Sequence, residues 1–218
     1  IAVLRFDFTG LGQSEGDFSQ SNFSSNVDDI VCAARYLAQQ RGAPQILIGH
    51  SLGGAAMLAA AGRIAESRAV VTIGAPYEPS HVEHLIRNVD ELRTKGVATV
   101  DIGGRPFQVR RQLIEDLARH EPSSTIGALG KALLILHAPQ DTIVNIDNAA
   151  KIFVAAKHPK SFVSLDRADH LLTNSEDAAY TVRVESAPLP PPAAHPLRRA
   201  PTAAMAPRRA MAPPATLT

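Results

Sequence analysis

The most constraining feature of this sequence is a short run, GHSLG at residues 49–53, between an apolar segment and an alanine-rich one. Residues 45–48 (QILI) have the composition of a buried strand, and residues 54–63 have that of a helix. A G-x-S-x-G pattern between a strand and a helix is typical of a sharp turn that exposes a nucleophilic serine, here Ser51. The alternative is an ordinary glycine-rich turn. The strand and helix on either side favour the nucleophile, and therefore an enzyme.

Each residue of this turn has a predicted role. Side chains at Gly49 and Gly53 are expected to collide with the neighbouring strand and helix, so both positions require glycine. Ser51 is then held in a strained backbone conformation at the start of the helix. There the amide of Leu52 and the helix dipole are placed to stabilise an oxyanion. His50 is expected to shape the turn.

A nucleophilic serine needs a histidine base and an acid that orients it, in the chain order serine, acid, histidine. After Ser51, Asp141 follows a predicted strand at 132–137, and His170 follows the last predicted strand. Parallel strands end at one edge of a sheet, so these three side chains are expected to meet there. Two other acidic residues follow the last strand and are rival candidates for the acid: Asp166 and Asp169.

Strand-like and helix-like segments alternate along the chain, which predicts an α/β fold with a mostly parallel sheet and helices on both faces. The first strand is expected at residues 1–8. The first helix is expected at residues 25–41, with Ser25 and Asp28 as the capping pair at its start.

Two segments depart from this alternation. Residues 78–128 predict a polar helix (80–95), a hairpin and a second helix, which together form a small lid inserted between two strands. Residues 183–218 predict a disordered tail, because their last 32 residues hold nine of the 16 prolines and no acidic residue. The folded domain is therefore expected to span residues 1–182.

Composition excludes several classes of protein. A hydrophobic content of 45% supports a buried core, and a net charge of +1 gives no reason to expect a nucleic acid or an anionic membrane as partner. No apolar run approaches the roughly 20 residues of a membrane span. The single cysteine, Cys32, cannot form an internal disulfide and is expected to be buried. A chain with one cysteine and no internal disulfide fits a reducing compartment, so we expect a cytoplasmic protein. No Cys/His zinc framework is present, so we expect no metal.

Other polar residues are weaker candidates. His81 and His84 are three residues apart on the predicted polar helix, but two ligands without a third are typical of a solvated face rather than a metal site. Three arginines are expected on the surface of the lid, with contact to an anionic substrate as the alternative: Arg105, Arg110 and Arg111.

Four segments together resemble the α/β-hydrolases of the serine aminopeptidase-like branch: residues 6–14 (FDFTGLGQS), 49–54 (GHSLGG), 137–141 (HAPQD) and 168–172 (ADHLL). Two further stretches resemble the hydrolase half of certain bifunctional bacterial proteins: residues 22–27 (NFSSNV) and 157–165 (KHPKSFVSL). Those bacterial proteins carry a C-terminal domain of the osmotically inducible OsmC type. The resemblance covers about residues 1–180.

The resemblance implies an α/β-hydrolase fold with Ser51 as nucleophile, Asp141 as acid and His170 as base, and with the Leu52 amide in the oxyanion hole. It implies a serine hydrolase that cleaves an ester, thioester or small amide of a small-molecule acyl substrate through an acyl-enzyme, without a cofactor. The second hypothesis is a non-catalytic hydrolase-like module that supports a fused OsmC-type domain, which handles peroxides.

The sequence also departs from this family at both ends. The family's early strands, and the loop that donates the second oxyanion amide, would lie before Ile1. The likeness stops near Tyr180, and no OsmC-like segment follows it. These departures predict that the chain is a fragment and that it is inactive in isolation.

Overall fold

The computed structural model describes residues 2–86, 89–102 and 105–185. Two short 3₁₀ helices are Phe18–Gln20 and Pro79–Leu85. The α-helices and strands are, in chain order, α1 (Phe23–Gln40), β1 (Ile46–His50), α2 (Leu52–Ala61), β2 (Ala69–Ile73), α3 (Val89–Lys95), β3 (Val97–Ile102), β4 (Arg105–Arg110), α4 (Arg111–Leu117), α5 (Pro122–Gly127), β5 (Ala132–His137), α6 (Asp147–Ala155), β6 (Lys160–Ser164) and α7 (Ser175–Glu185).

A parallel sheet forms the centre of the molecule. Within the described residues it has four strands in the order β1-β2-β5-β6, and every neighbouring pair is parallel. All six residues of β5 are buried, which is why its sequence (ALLILH) is almost continuously apolar. The predicted α/β fold with a mostly parallel sheet is therefore confirmed.

Helices cover both faces of this sheet. Alternate residues of the central strands, such as Val70 and Ile135, pack with α1, α2 and α6 in the larger core. Residues of the opposite parity, such as Val71 and Leu136, form a smaller core against which Val184 of α7 packs. The helix α7 extends to Glu185, so the first three residues assigned to the tail, 183–185, are helical. The rest of the predicted tail lies outside the described residues.

The helix α1 begins earlier than predicted. Its N-cap is Asn22, whose side chain accepts a hydrogen bond from the Ser25 amide at 2.8 Å. The Asn22 amide donates in return to the Ser25 hydroxyl oxygen at 2.9 Å. Ser25 with Asp28 is thus the wrong capping pair, because an asparagine three residues before the serine completes the capping box. Cys32 was also wrongly expected to be buried, since it lies on the exposed side of α1.

Residues 2–8 do not form the predicted strand. Local hydrogen bonds hold this segment in place of a ladder: the Asp7 carboxylate accepts from the Gln13 amide, and the Asp7 carbonyl accepts from the Ser14 hydroxyl. Only Phe6 and Phe8 pack against the larger core. A strand needs a partner that satisfies its backbone groups, and in the described residues no strand of the sheet pairs with this segment.

The segment between β2 and β5 contains the residues predicted to form a lid. The hairpin of β3 and β4 is antiparallel as predicted, from the pair Val97 and Arg110 to the pair Ile102 and Arg105. The polar helix predicted at 80–95 is wrong as a single helix. Ile86 has extended backbone angles (φ −84°, ψ 104°) and buries its side chain in the core, which ends the 3₁₀ helix before α3 begins. The interpretation as a lid stays a prediction.

The parallel arrangement sets where polar loops meet. The strands β1, β2, β5 and β6 end at His50, Ile73, His137 and Ser164, and parallel strands place these ends at one edge of the sheet. The loops that follow them are the ones in which catalytic residues are predicted. No helix among the described residues is long and apolar enough to cross a membrane.

Candidate active site

Ser51 lies in the turn between β1 and α2. Its backbone has φ 52° and ψ −131°, a region that a residue with a side chain rarely adopts. The Ser51 amide donates to the Ile73 carbonyl of β2 at 2.8 Å, and its own carbonyl accepts from the Gly54 amide at 2.8 Å. These bonds hold the strained conformation at the sheet edge, as strain at functional sites requires.

The three glycines around Ser51 do not share one role. A Cβ on Gly49 would lie 2.5 Å from the Gly53 carbonyl oxygen, so this position has no room for a side chain, as predicted. The same prediction is wrong for Gly53, because its nearest neighbour would be a ring carbon of Phe8 at 3.8 Å, an ordinary contact. Gly54 is the crowded position that sequence reasoning missed, since a Cβ there would lie 2.7 Å from the Cβ of Ala75.

The structure brings Ser51, His170 and Asp141 together in one hydrogen-bonded path. The Ser51 hydroxyl lies 3.0 Å from Nε2 of His170, and Nδ1 of His170 donates to Oδ2 of Asp141 at 2.7 Å. The side chains of His170 and Asp141 are 9% and 1% exposed, so water competes little for the bond between them. This arrangement makes Nε2 of His170 a proton acceptor for the Ser51 hydroxyl.

The loop after β5 orients the Asp141 carboxylate and lowers its pKa. Its Oδ1 accepts from the amides of Ile143 and Val144, both at 2.8 Å, while Oδ2 faces His170. Burial by itself raises the pKa of the Asp141 carboxyl. The bonds from His170, Val144 and Ile143, with the charge of His170, outweigh burial and hold that pKa below its ordinary value. Asp141 is therefore an ionised acceptor at neutral pH.

His50 contacts the predicted base directly. Its Nε2 donates to the backbone carbonyl of His170 at 2.6 Å, and the two imidazole rings lie 4.8 Å apart between centroids. Burial lowers the pKa of His50 and outweighs the hydrogen bond to the His170 carbonyl, which raises it, so the neutral imidazole is favoured. The sequence predicted that His50 shapes the turn, but it contained no signal for this bond across 120 residues.

Gly74 is a second residue at the site that sequence reasoning missed. It follows β2 with φ +54°, and a Cβ there would lie 3.3 Å from both Oδ2 of Asp141 and Nδ1 of His170. Because Gly74 has no side chain, it leaves room for the hydrogen bond between Asp141 and His170. A glycine directly after a buried strand was the available sequence signal.

The rival acids are engaged elsewhere. The Asp166 carboxylate accepts from the Ser164 hydroxyl, and the Asp169 carboxylate accepts from the amide and the hydroxyl of Thr173. Asp169 precedes His170 but bonds to the loop that follows it. Of the three candidate acids, Asp141 is the one bonded to His170.

The structure gives contacts or exposure for three of the weaker candidates: His81, Arg105 and Arg111. Nε2 of His81 is 3.4 Å from the Ile143 carbonyl, while the side chain of His84 lies outside the described residues. Arg111 donates to the Arg93 carbonyl, and Arg105 is exposed. The part of the chain that the structure describes contains no group of three or more His, Cys, Asp or Glu residues able to hold a metal.

Comparison with known proteins identifies the family. A family model described as serine aminopeptidase, S33, matches residues 1–103. The crystal structure of the esterase domain of a Rhodothermus marinus protein is 50% identical, covers 78% of this chain and 70% of that one, and superposes with a TM-score of 0.65. The chain belongs to the α/β-hydrolases. Because the aligned residues of that relative are 50% identical to those of this α/β-hydrolase, the likeness extends beyond the fold.

Other relatives are more distant. The protein YfhR of Salmonella typhimurium is 25% identical to this α/β-hydrolase over 173 residues, which are 78% of this chain and 55% of that protein. The human mitochondrial palmitoyl-protein thioesterase ABHD10 is 40% identical over 72 residues, 33% of this chain and 22% of that protein. This α/β-hydrolase thus spans about half the length of YfhR.

Proposed function

We propose that this α/β-hydrolase is a serine hydrolase that cleaves an ester, a thioester or a small amide through an acyl-enzyme. The observation that carries the proposal is the continuous hydrogen-bonded path from the Ser51 hydroxyl through His170 to the Asp141 carboxylate. Two relatives support the substrate class, since one is described as an esterase domain and the other as a palmitoyl-protein thioesterase.

In the first half of the reaction, Ser51 attacks the carbonyl carbon of the substrate. Nε2 of His170 accepts the hydroxyl proton as the new carbon–oxygen bond forms. The tetrahedral intermediate then collapses, the bond to the leaving group breaks, and His170 returns the proton to the departing oxygen, sulfur or nitrogen. The product of this half is an acyl group on Ser51.

Water completes the reaction in the second half. Nε2 of His170 accepts a proton from the water as its oxygen attacks the acyl carbon, and then returns that proton to the Ser51 oxygen as the acyl bond breaks. Asp141 stays ionised throughout. Its bond to Nδ1 keeps the ring in the tautomer that leaves Nε2 free, and its charge stabilises the imidazolium that forms transiently.

The amide of Leu52 would stabilise the negative charge on the carbonyl oxygen. Leu52 is the first residue of α2, so its N–H has no acceptor within the helix. Ser51, the proposed nucleophile, directly precedes this amide in the chain and has a backbone φ of 52°. The positive end of the helix dipole acts in the same direction.

A fluorophosphonate probe tests the proposal. In the protein produced from its complete gene, we expect covalent labelling of wild type, no labelling of Ser51→Ala, and undiminished labelling of Ser123→Ala, which removes an exposed hydroxyl on α5. Mass spectrometry of the labelled peptide should locate the adduct at Ser51. An unlabelled wild-type protein would overturn the proposal in favour of a non-catalytic module. Labelling that survives Ser51→Ala would overturn it by assigning the nucleophile to another residue.

Substrate class is measured separately from the nucleophile. An oxygen ester, a thioester and an anilide with the same acyl group would be compared by kcat/KM in the labelled protein. We expect the two esters to be cleaved and to lose turnover together in Ser51→Ala. Cleavage of the anilide alone would contradict the assignment to esters that the relatives support.

A further inference from the structure

A second buried histidine stands at the end of β5. His137 is the last residue of that strand, four residues before Asp141, and it is 0% exposed. The reaction derived above does not use it. A polar side chain so completely buried at the active-site edge of the sheet requires a role that offsets its desolvation.

The hydrogen bonds of His137 define its tautomer. Its Nε2 lies 2.8 Å from the Val144 carbonyl, which only accepts, so Nε2 carries a proton and donates. Its Nδ1 is buried without a hydrogen-bond partner among the described residues. A proton on Nδ1 would add an unsatisfied buried donor, whereas the neutral Nε2–H form leaves only a lone pair unpaired. His137 therefore donates to the backbone through Nε2.

The backbone that His137 holds is the one that holds Asp141. Val144 is 2% exposed, and its amide donates to Oδ1 of Asp141 while its carbonyl accepts from His137. Nε2 of His137 lies 3.7 Å from Oδ2 of Asp141, the oxygen that bonds to His170. The imidazole thus fixes Val144 from one side, and Val144 fixes the carboxylate from the other.

We propose that His137 is a positioning residue that sets the orientation of the Asp141 carboxylate through Val144. This inference rests on the proposed function, because the orientation matters for rate only if Asp141 serves His170 in catalysis. Without the donor, the buried Val144 carbonyl loses its partner and the loop of residues 138–144 can shift. A displacement of about 1 Å within a catalytic group costs on the order of 10²-fold in rate.

Two substitutions separate this role from packing. His137→Phe keeps a ring of similar size and removes the donor, whereas His137→Gln places an amide donor close to the position of Nε2. We expect His137→Phe to lower kcat for a chromogenic ester on the order of 10²-fold with KM little changed. His137→Gln should recover most of the loss. His137→Asn, whose amide is too short to reach Val144, replaces the Phe variant if that protein does not fold.

A second readout is independent of turnover. The Nδ1 proton of His170, hydrogen-bonded to Asp141, should give a downfield proton resonance in wild type and His137→Gln that is weakened or shifted in His137→Phe. Equal kcat and an unchanged resonance in the Phe variant, or a Gln variant no better than Phe, would overturn the proposal. If wild type hydrolyses no ester and takes no fluorophosphonate, the proposed function fails, and the resonance still decides whether His137 positions Asp141.

Discussion

Two neighbouring glycines in the first turn of α2 provide a sharp test of the structure. Gly53 and Gly54 are adjacent, both are helical, and alanine adds the same single methyl group to each. The two positions differ in the space around that methyl. We expect Gly53→Ala to stabilise the protein and Gly54→Ala to destabilise it.

The magnitude follows from two contributions. Replacing glycine by alanine inside a helix favours folding by about 0.5–1 kcal/mol, and this gain is common to both variants. At Gly53 nothing opposes it, because the nearest atom would lie at 3.8 Å. At Gly54 the methyl would lie 2.7 Å from the Cβ of Ala75 and 2.9 Å from the Gly49 carbonyl oxygen. Overpacking of this kind costs about 1–3 kcal/mol.

The difference between the two variants is the informative quantity. Because the helix contribution cancels, the free energies of unfolding should differ by about 1–3 kcal/mol, the overpacking cost alone. Urea unfolding followed by far-UV circular dichroism measures this difference as a shift in midpoint at unchanged slope. Equal midpoints for Gly53→Ala and Gly54→Ala would refute the argument, and so would a more stable Gly54→Ala.

Three further predictions concern the polar residues of the site. Asp141→Asn should lower kcat/KM by a factor of up to about 10⁴, because the histidine base loses the acid that orients it. Asp166→Asn should leave kcat/KM unchanged. The reverse result would transfer the acid role to Asp166. Gly74→Ala should lower kcat, because it adds a methyl group 3.3 Å from both partners of the bond between Asp141 and His170 and forces alanine to φ +54°; wild-type kinetics would contradict this. Since burial lowers the pKa of His50 in the folded state, the unfolded chain binds its proton first, and the free energy of unfolding should decrease as the pH falls below 6.5. Urea titrations over this range should show a shallower decrease for His50→Gln than for wild type, and parallel curves would exclude His50 as the cause.

Much of the fold and of the candidate site could be predicted because the decisive signals are local in sequence. The strand β5 occupies Ala132–His137, the predicted range, since an apolar run between turn residues leaves little choice of boundary. Ser51, Asp141 and His170 each follow a strand, and a parallel sheet brings such positions to one edge whatever the details of packing. Chain order and sheet direction were therefore enough to select the three residues that the structure brings together.

The features that sequence reasoning missed depend on contacts between distant residues. Residues 2–8 have the composition of a strand, but only the folded molecule shows that no described strand of the sheet pairs with them. Gly53 and Gly54 are adjacent glycines that the sequence does not distinguish, and the position of Ala75 decides which of them is crowded. The same limit applies to Gly74, whose importance comes from two side chains that lie 67 and 96 positions further along the chain.

His50 and His137 lie outside the hydrogen-bonded path of Ser51, His170 and Asp141, and both hold a loop of that path by donating to a backbone carbonyl. His50, at the end of β1, donates to the backbone carbonyl of His170, and His137, at the end of β5, donates to the backbone carbonyl of Val144 in the loop of Asp141. In each case a strand end anchors a loop that carries a proposed catalytic residue, which is the placement that precise catalytic geometry requires. A neutral imidazole suits this task because it can donate to a carbonyl without adding a positive charge. Under the proposed mechanism, a charged donor such as lysine at either position would oppose formation of the His170 imidazolium and so raise the barrier that Asp141 lowers.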